Sequence, residues 1–121
     1  MEIIFYVEED TLIAELSGEI DHHVTEKLRQ DIDDEMKLCG TRDLVFDFSH
    51  VEFMDSSGIG MVLGRYKKVH NAGGKVTICN AGRLVKQILD MSGVFTLMEY
   101  EDRGQRGEGG RVEKELYQSR V

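Results

Sequence analysis

The stretch Leu44-Val45-Phe46-Asp47-Phe48, followed by a loop to Asp55-Ser56-Ser57-Gly58 and then Ile59-Gly60-Met61-Val62-Leu63-Gly64-Arg65-Tyr66-Lys67-Lys68-Val69, decides the fold. Its first five residues are a short apolar run, the pattern of a strand buried on both faces. Ile59, Val62, Leu63, Tyr66 and Val69 then recur three or four residues apart, which predicts an amphipathic helix. Asn71-Ala72-Gly73-Gly74 closes that helix, and Val76 to Cys79 reads as the next strand. A strand, a helix and a second strand in succession imply a parallel crossover packed on a sheet.

Working outward, Ile3 to Val7 alternates, Glu8-Glu9-Asp10 interrupts, and Leu12, Ala14 and Leu16 alternate again, which predicts a hairpin ended by Gly18. Val24, Leu28, Ile32, Met36 and Cys39 predict a first helix from about His22 to Cys39, stopped by Gly40. On the other side, Leu84, Val85, Ile88, Leu89 and Met91 predict a third helix stopped by Gly93. Phe95 and Leu97, reaching as far as Tyr100, predict a last, edge-like strand. The expected fold class is α/β: a single domain with a mixed four- to five-stranded sheet and its helices mainly on one face. The domain is expected over residues 1–101. Residues 102–121 form a polar, Gly-rich C-terminal extension, with one or two helical turns expected over Val112 to Tyr117.

Composition narrows the classes. A chain of 121 residues with 40% hydrophobic residues supports one ordinary core. It contains no run of the roughly 18 apolar residues that a membrane helix needs. Met1-Glu2-Ile3-Ile4-Phe5 has neither a basic region nor a small-residue cleavage site, so it does not read as a signal peptide. Cys39 and Cys79 are far apart and fit no metal spacing; they read as reduced, half-buried thiols, and the expected compartment is the cytoplasm. The net charge is −8, split between residues 1–55 (4 Lys/Arg against 16 Asp/Glu) and residues 56–121 (11 against 7). The basic half lacks a dense Lys/Arg run with interleaved aromatics, so direct nucleic-acid binding is not expected. The acidic half suits encounter with a basic partner surface.

Three kinds of chemistry have to be weighed. Gly58, Gly60 and Gly64 invite a nucleotide loop, but the third glycine comes one residue late for the dinucleotide fingerprint and no Gly-Lys-Ser/Thr follows. Small residues that let the helix approach the sheet closely are the simpler account. A serine-hydrolase elbow needs G-x-S-x-G, and Asp55 stands where the first glycine belongs. A triad would also have to recruit His22, His23, His50 or His70. His22-His23 lacks the three- or four-residue spacing of helix-borne zinc ligands. No catalytic residue, metal or cofactor is therefore expected. What remains at Asp55-Ser56-Ser57 is a helix start, where one Asp or Ser suffices as N-cap and a spare hydroxyl can carry an added phosphate.

Phe53-Met54-Asp55-Ser56-Ser57-Gly58-Ile59-Gly60, continuing through Leu63-Gly64-Arg65-Tyr66-Lys67, resembles the signature of the bacterial anti-sigma-factor antagonists, whose domain is the STAS domain. Gly18-Glu19-Ile20-Asp21-His22-His23 is similar to that family's first signature, and Asp90-Met91-Ser92-Gly93-Val94-Phe95 to its third. The order and spacing of all three agree, and the likeness covers about residues 1 to 101. The Asp-His-His loop and the Gly-Arg-Tyr-Lys helix resemble the sporulation member, the antagonist of the anti-sigma-F factor. The Gly-rich extension departs from the pattern.

The resemblance implies a partner-switching cycle. The unphosphorylated antagonist binds an anti-sigma factor that is also a serine kinase and so frees the sigma factor. That kinase phosphorylates Ser56, and a metal-dependent serine phosphatase resets it. Asp21, His22 and His23 in the first loop, with Asp55, Ser57, Gly58 and Ile59 around the serine, are the implied partner contacts. The free protein is expected to be a monomer that binds no membrane. Two alternatives stay open at this point: a STAS interaction module of another complex, and a small nucleotide-binding α/β protein.

Overall fold

The structure, a computed structural model, describes residues 1–104 and the backbone of 115–120. The strands are β1 (Glu2–Glu8), β2 (Thr11–Ile20), β3 (Asp43–Met54), β4 (Val76–Cys79), β5 (Glu99–Glu101) and β6 (Glu115–Arg120). The helices are α1 (Thr25–Cys39), α2 (Ser56–Asn71) and α3 (Arg83–Ser92). The sheet order is β5-β4-β3-β2-β1-β6. β2 to β5 are mutually parallel, while β1 runs antiparallel to β2, and β6 to β1. The expected mixed sheet of five strands is present, and the C-terminal extension adds a sixth.

Alternation along the strands sorts the two faces. Ile3, Phe5, Leu12, Ala14, Leu16, Leu44, Phe46, Phe48, Val76 and Ile78 point to one side. There they meet Leu28 and Ile32 of α1, Met61, Val62 and Val69 of α2, and Val85 and Leu89 of α3 in one core. All three helices therefore lie on one face. The opposite face carries a small cluster of Ile13, Val45 and Cys79 beneath Tyr6. Cys79 is fully buried, not half-buried as expected, because it lies in this second cluster on a strand paired on both sides; Cys39 is partly buried.

Several elements differ from their sequence reading. β2 does not end at Gly18. It runs on to Ile20, with shifts in its pairing to β3 on either side and Gly18 at φ +108°, a conformation that L side chains rarely adopt. Gly18 is thus a bulge inside a long strand. The last strand begins at Glu99, later than expected, because Gly93 enters the left-handed region and Val94–Thr96 winds into a 3₁₀ turn. Phe95 packs edge-on against Tyr100 instead of entering the sheet. The helical turns expected over 112–117 are absent from 115 onward, where β6 forms; residues 112–114 lie outside the described residues. In α3 only Val85 and Leu89 of the apolar stripe are buried, and Met91 is 87% exposed.

Candidate functional site

Parallel strands followed by helices put three helix starts along one edge of the sheet. α1 follows β2, α2 follows β3 and α3 follows β4, so their N-termini share the C-terminal edge of the parallel strands. This is the edge where open α/β sheets commonly place their working loops. Ile20 and Met54 are register partners, and the Asp55 N–H donates to the Ile20 carbonyl at 3.1 Å. The first loop and the serine loop, more than thirty residues apart in the chain, are therefore adjoining.

Asp55 is the N-cap of α2. Its backbone is extended (φ −104°, ψ −171°), and its carboxylate accepts the Ser57 N–H at 2.9 Å and the Ser57 hydroxyl at 2.5 Å. The second distance is that of a strong charge-assisted hydrogen bond. The Ser57 hydroxyl above all, then the N–H groups of Ser57 and Gly58 and the neighbouring His22, hold the Asp55 carboxyl below the usual carboxylate range. Of the three capping candidates, then, Asp55 caps and Ser57 is tied to it. Ser56, the first residue of α2, is exposed, and its hydroxyl makes no side-chain hydrogen bond among the described residues. It is the spare hydroxyl at a helix N-terminus.

The three glycines of α2 do not act alike. A methyl group at Gly58 would sit 3.0 Å from Met54 Sδ and 3.1 Å from Ile20 Cγ2, so this position does let the helix start press onto both loops. Gly60 and Gly64 have open space where a side chain would be. Close approach to the sheet therefore explains Gly58 only; the other two leave a bare strip on the exposed side of α2.

The first loop is built more loosely. Val24 occupies the N-cap position of α1 and makes no side-chain cap. The Asp21 carbonyl accepts from Val24 N–H (3.1 Å) and Thr25 N–H (3.2 Å), and the Asp21 carboxylate accepts the His23 N–H at 2.9 Å. His22 and His23 are exposed, with ring centroids 4.0 Å apart. Ile59 is partly buried against the core. The structure thus brings Asp21, His22, His23, Asp55, Ser56, Ser57, Gly58 and Ile59 to one end of the molecule.

Other features lie around these residues. A hollow of about 180 Å³ between α1 and α2 is lined by Thr25, Glu26, Arg29, Ser57, Gly60 and Met61. Phe53, just before the serine loop, is an exposed aromatic. Arg65 is only 5% exposed: its Nε lies 2.8 Å from Asp33 Oδ1, and Lys68 reaches the other Asp33 oxygen at 3.1 Å. That ion pair ties α2 to α1 below the serine. The hydroxyl of Ser57, the serine of the elbow-like stretch, donates to Asp55. His70 stacks on Tyr66 in the last turn of α2, and His50 lies 3.7 Å from Glu15. Among the described residues no three His, Cys, Asp or Glu gather as a metal site, and no helix is long and apolar enough to cross a membrane.

Comparison with known proteins adds three findings. Residues 2–105 match the STAS domain. The chain is 40% identical over 91 residues to an anti-sigma F factor antagonist of Paenibacillus polymyxa, covering 75% of this chain and 78% of that protein. Its structure resembles the anti-sigma factor antagonist SpoIIAA in its unphosphorylated form (TM-score 0.69, 26% identity, 86% of this chain and 90% of the other). It also resembles the Bacillus cell fate determinant SpoIIAA in the phosphorylated form (TM-score 0.69, 27% identity, 87% and 93%).

Proposed function

We propose that this chain, which belongs to the STAS domain family and is an anti-sigma factor antagonist of the SpoIIAA type, is switched by phosphorylation of Ser56. The observation that carries the reading is the division of labour at the α2 start. Asp55 caps, Ser57 holds Asp55, and Ser56 alone offers an exposed hydroxyl. The unphosphorylated protein binds a cytoplasmic anti-sigma factor that is also a serine kinase, through the surface formed by the serine loop and Asp21-His22-His23. Binding releases the sporulation sigma factor. Phosphorylation ends the complex, and a metal-dependent phosphatase restores it. This protein is the substrate in both reactions.

The switch needs no refolding. A phosphoryl group adds about −1.5 to −2 charge, of which the helix N-terminus offsets roughly 0.3–1 kcal/mol at an exposed site. Asp55, held ionised, opposes it: like charges about 4 Å apart cost up to about 4 kcal/mol at an effective dielectric of 20. Hydration relieves most of this in the free protein, while a partner surface removes that relief. A loss of about 2.7 kcal/mol is already a hundredfold in affinity. Incubation with the purified anti-sigma factor and ATP, followed by mass spectrometry, tests the site. Phosphate is expected on Ser56; phosphate on Ser57 with Ser56 unmodified overturns the assignment.

A further inference from the structure

The two edges of the domain's sheet differ in how they resist pairing with another chain. β5 is three residues long, Glu99-Tyr100-Glu101, with an exposed carboxylate at each end. Short, charged edges of this kind repel a further strand. β1 is the opposite: seven residues with Ile3-Ile4-Phe5-Tyr6-Val7 uninterrupted between its terminal glutamates. A long apolar edge is a ready template for strand addition. Here it is covered by β6, with Glu2 opposite Arg120, Ile3 opposite Ser119, Ile4 opposite Gln118, Phe5 opposite Tyr117 and Tyr6 opposite Glu115. The covering strand lies beyond residues 2–105, the part that matches the STAS domain. From this geometry we infer that β6 is an intramolecular edge guard that keeps a second copy of this chain from pairing through β1.

The occupant it excludes follows from the sequence of β1 itself. Antiparallel pairing of two identical strands has the two-fold symmetry of a closed dimer. Centred on Phe5, it would set Ile3 against Val7 and Ile4 against Tyr6, apolar pairs throughout. Only Glu2 and Glu8 would face each other as like charges, whereas β6 offers Arg120 at that place. Chain length favours the guard too. Six strands at about 4.8 Å put the sheet's edges roughly 24 Å apart. From Gly104 to Glu115 the chain can extend about 36–40 Å, at roughly 3.3–3.6 Å per residue. The tether is therefore long enough to carry the chain to β1, whose Glu8 already lies 3.8 Å from Arg103. A tether of this kind presents its strand at an effective concentration of about millimolar, above that of any second copy in ordinary solution.

The test uses the full chain with Gln118→Pro and Ser119→Pro together, at the positions opposite Ile4 and Ile3 where the register is regular. Successive strand amides point to opposite sides, so one of the two prolines removes a ladder donor whichever way β6 is set. Sedimentation equilibrium and amide exchange are measured from about 10 µM to about 500 µM, below the effective concentration of the tether. The wild type is expected to sediment as one chain of 13.8 kDa with β1 amides protected throughout. The double variant is expected to move to twice that mass as concentration rises. Adding Ile4→Lys, an edge charge, should return it to one chain. A wild type that already dimerises overturns the inference. So does a variant that stays monomeric with β1 protection unchanged, because the edge was then never guarded by β6. A monomeric variant with rapidly exchanging β1 amides overturns the second copy as the excluded occupant. None of these outcomes touches Ser56, so the inference fails or stands apart from the phosphorylation switch.

Discussion

The two helix starts that meet at the working edge are built on opposite principles. α2 begins from an extended Asp55 whose carboxylate satisfies one helix N–H and binds the Ser57 hydroxyl, over a Gly58 wedged against Met54 and Ile20. α1 begins from Val24 with no side-chain cap, after a turn that exposes two histidines with their rings tilted against each other. One start is held rigidly by side-chain hydrogen bonds and packing; the other leaves more of its N-terminal donors to water. The difference teaches where presentation matters. On the proposed switch, the serine takes the fixed stage with one free hydroxyl, and the neighbouring loop lies beside it.

The largest effect should come from loading the rigid start with charge. Ser56→Asp is expected to weaken anti-sigma factor binding about a hundredfold or more, a loss of about 2.7 kcal/mol. Its melting temperature should stay within a few degrees of wild type, because the added group is exposed. Calorimetric titration paired with thermal melting checks both halves. Ser56→Ala should bind as wild type does, and a large melting shift in Ser56→Asp would contradict a switch without refolding.

Removing the cap comes next. Asp55→Ala should cost about 1–2 kcal/mol of stability at neutral pH, as N-cap losses do. Asp21→Ala should cost less, because its carboxylate accepts only one backbone N–H outside the helix. The Asp55 pKa is lowered by folding, so its contribution is complete above the ordinary carboxylate range and is lost as pH falls through the lower, folded value. Denaturation curves of wild type and Asp55→Ala should therefore converge in acid. Curves that stay parallel down to about pH 2, well below the ordinary carboxylate pKa, would remove the ionised cap from the account.

The loose start is probed by Asp21→Asn, which keeps the oxygen acceptor and removes the charge. We expect a loss of roughly tenfold in anti-sigma factor affinity, about 1.4 kcal/mol, with stability unchanged. Equal affinity would leave Asp21 with the turn alone. The smallest effect is at Gly60, where nothing lies within reach of an added methyl. Gly60→Ala should stabilise the free protein by about 0.5–1 kcal/mol through helix propensity, seen as a higher denaturation midpoint. The same change at Gly58 should gain less or destabilise, because its methyl meets Met54 and Ile20.

Much of this architecture is legible in the residues. Periodicity marks the hairpin, α1, α2 and α3, because those segments bury one stripe against one core and the buried positions repeat at the period of the element. The short elements are less legible. Phe95 and Leu97 look like strand residues, but the left-handed Gly93 and the 3₁₀ turn after it delay the last strand to Glu99. Gly18 looks like a strand end because a lone glycine cannot announce whether it stops a strand or bulges it. Nothing local marks the burial of Arg65, which depends on Asp33, thirty-two residues earlier in α1.

Sequence alone determined the order of strands and helices as far as β5, the helix start at Asp55-Ser56-Ser57 and the family, because each rests on local pattern or on spaced motifs. Tertiary structure decided which of the three residues caps and which is left free, because that turns on one carboxylate reaching two Ser57 donors. It also decided that Asp21 lies beside the serine, through the Asp55–Ile20 hydrogen bond between parallel strands. Finally, it decided that the polar C-terminal extension ends as a strand on the edge of β1. Strand pairing between the two ends of a chain leaves no periodic mark in either of them; it exists only once the sheet between them has formed.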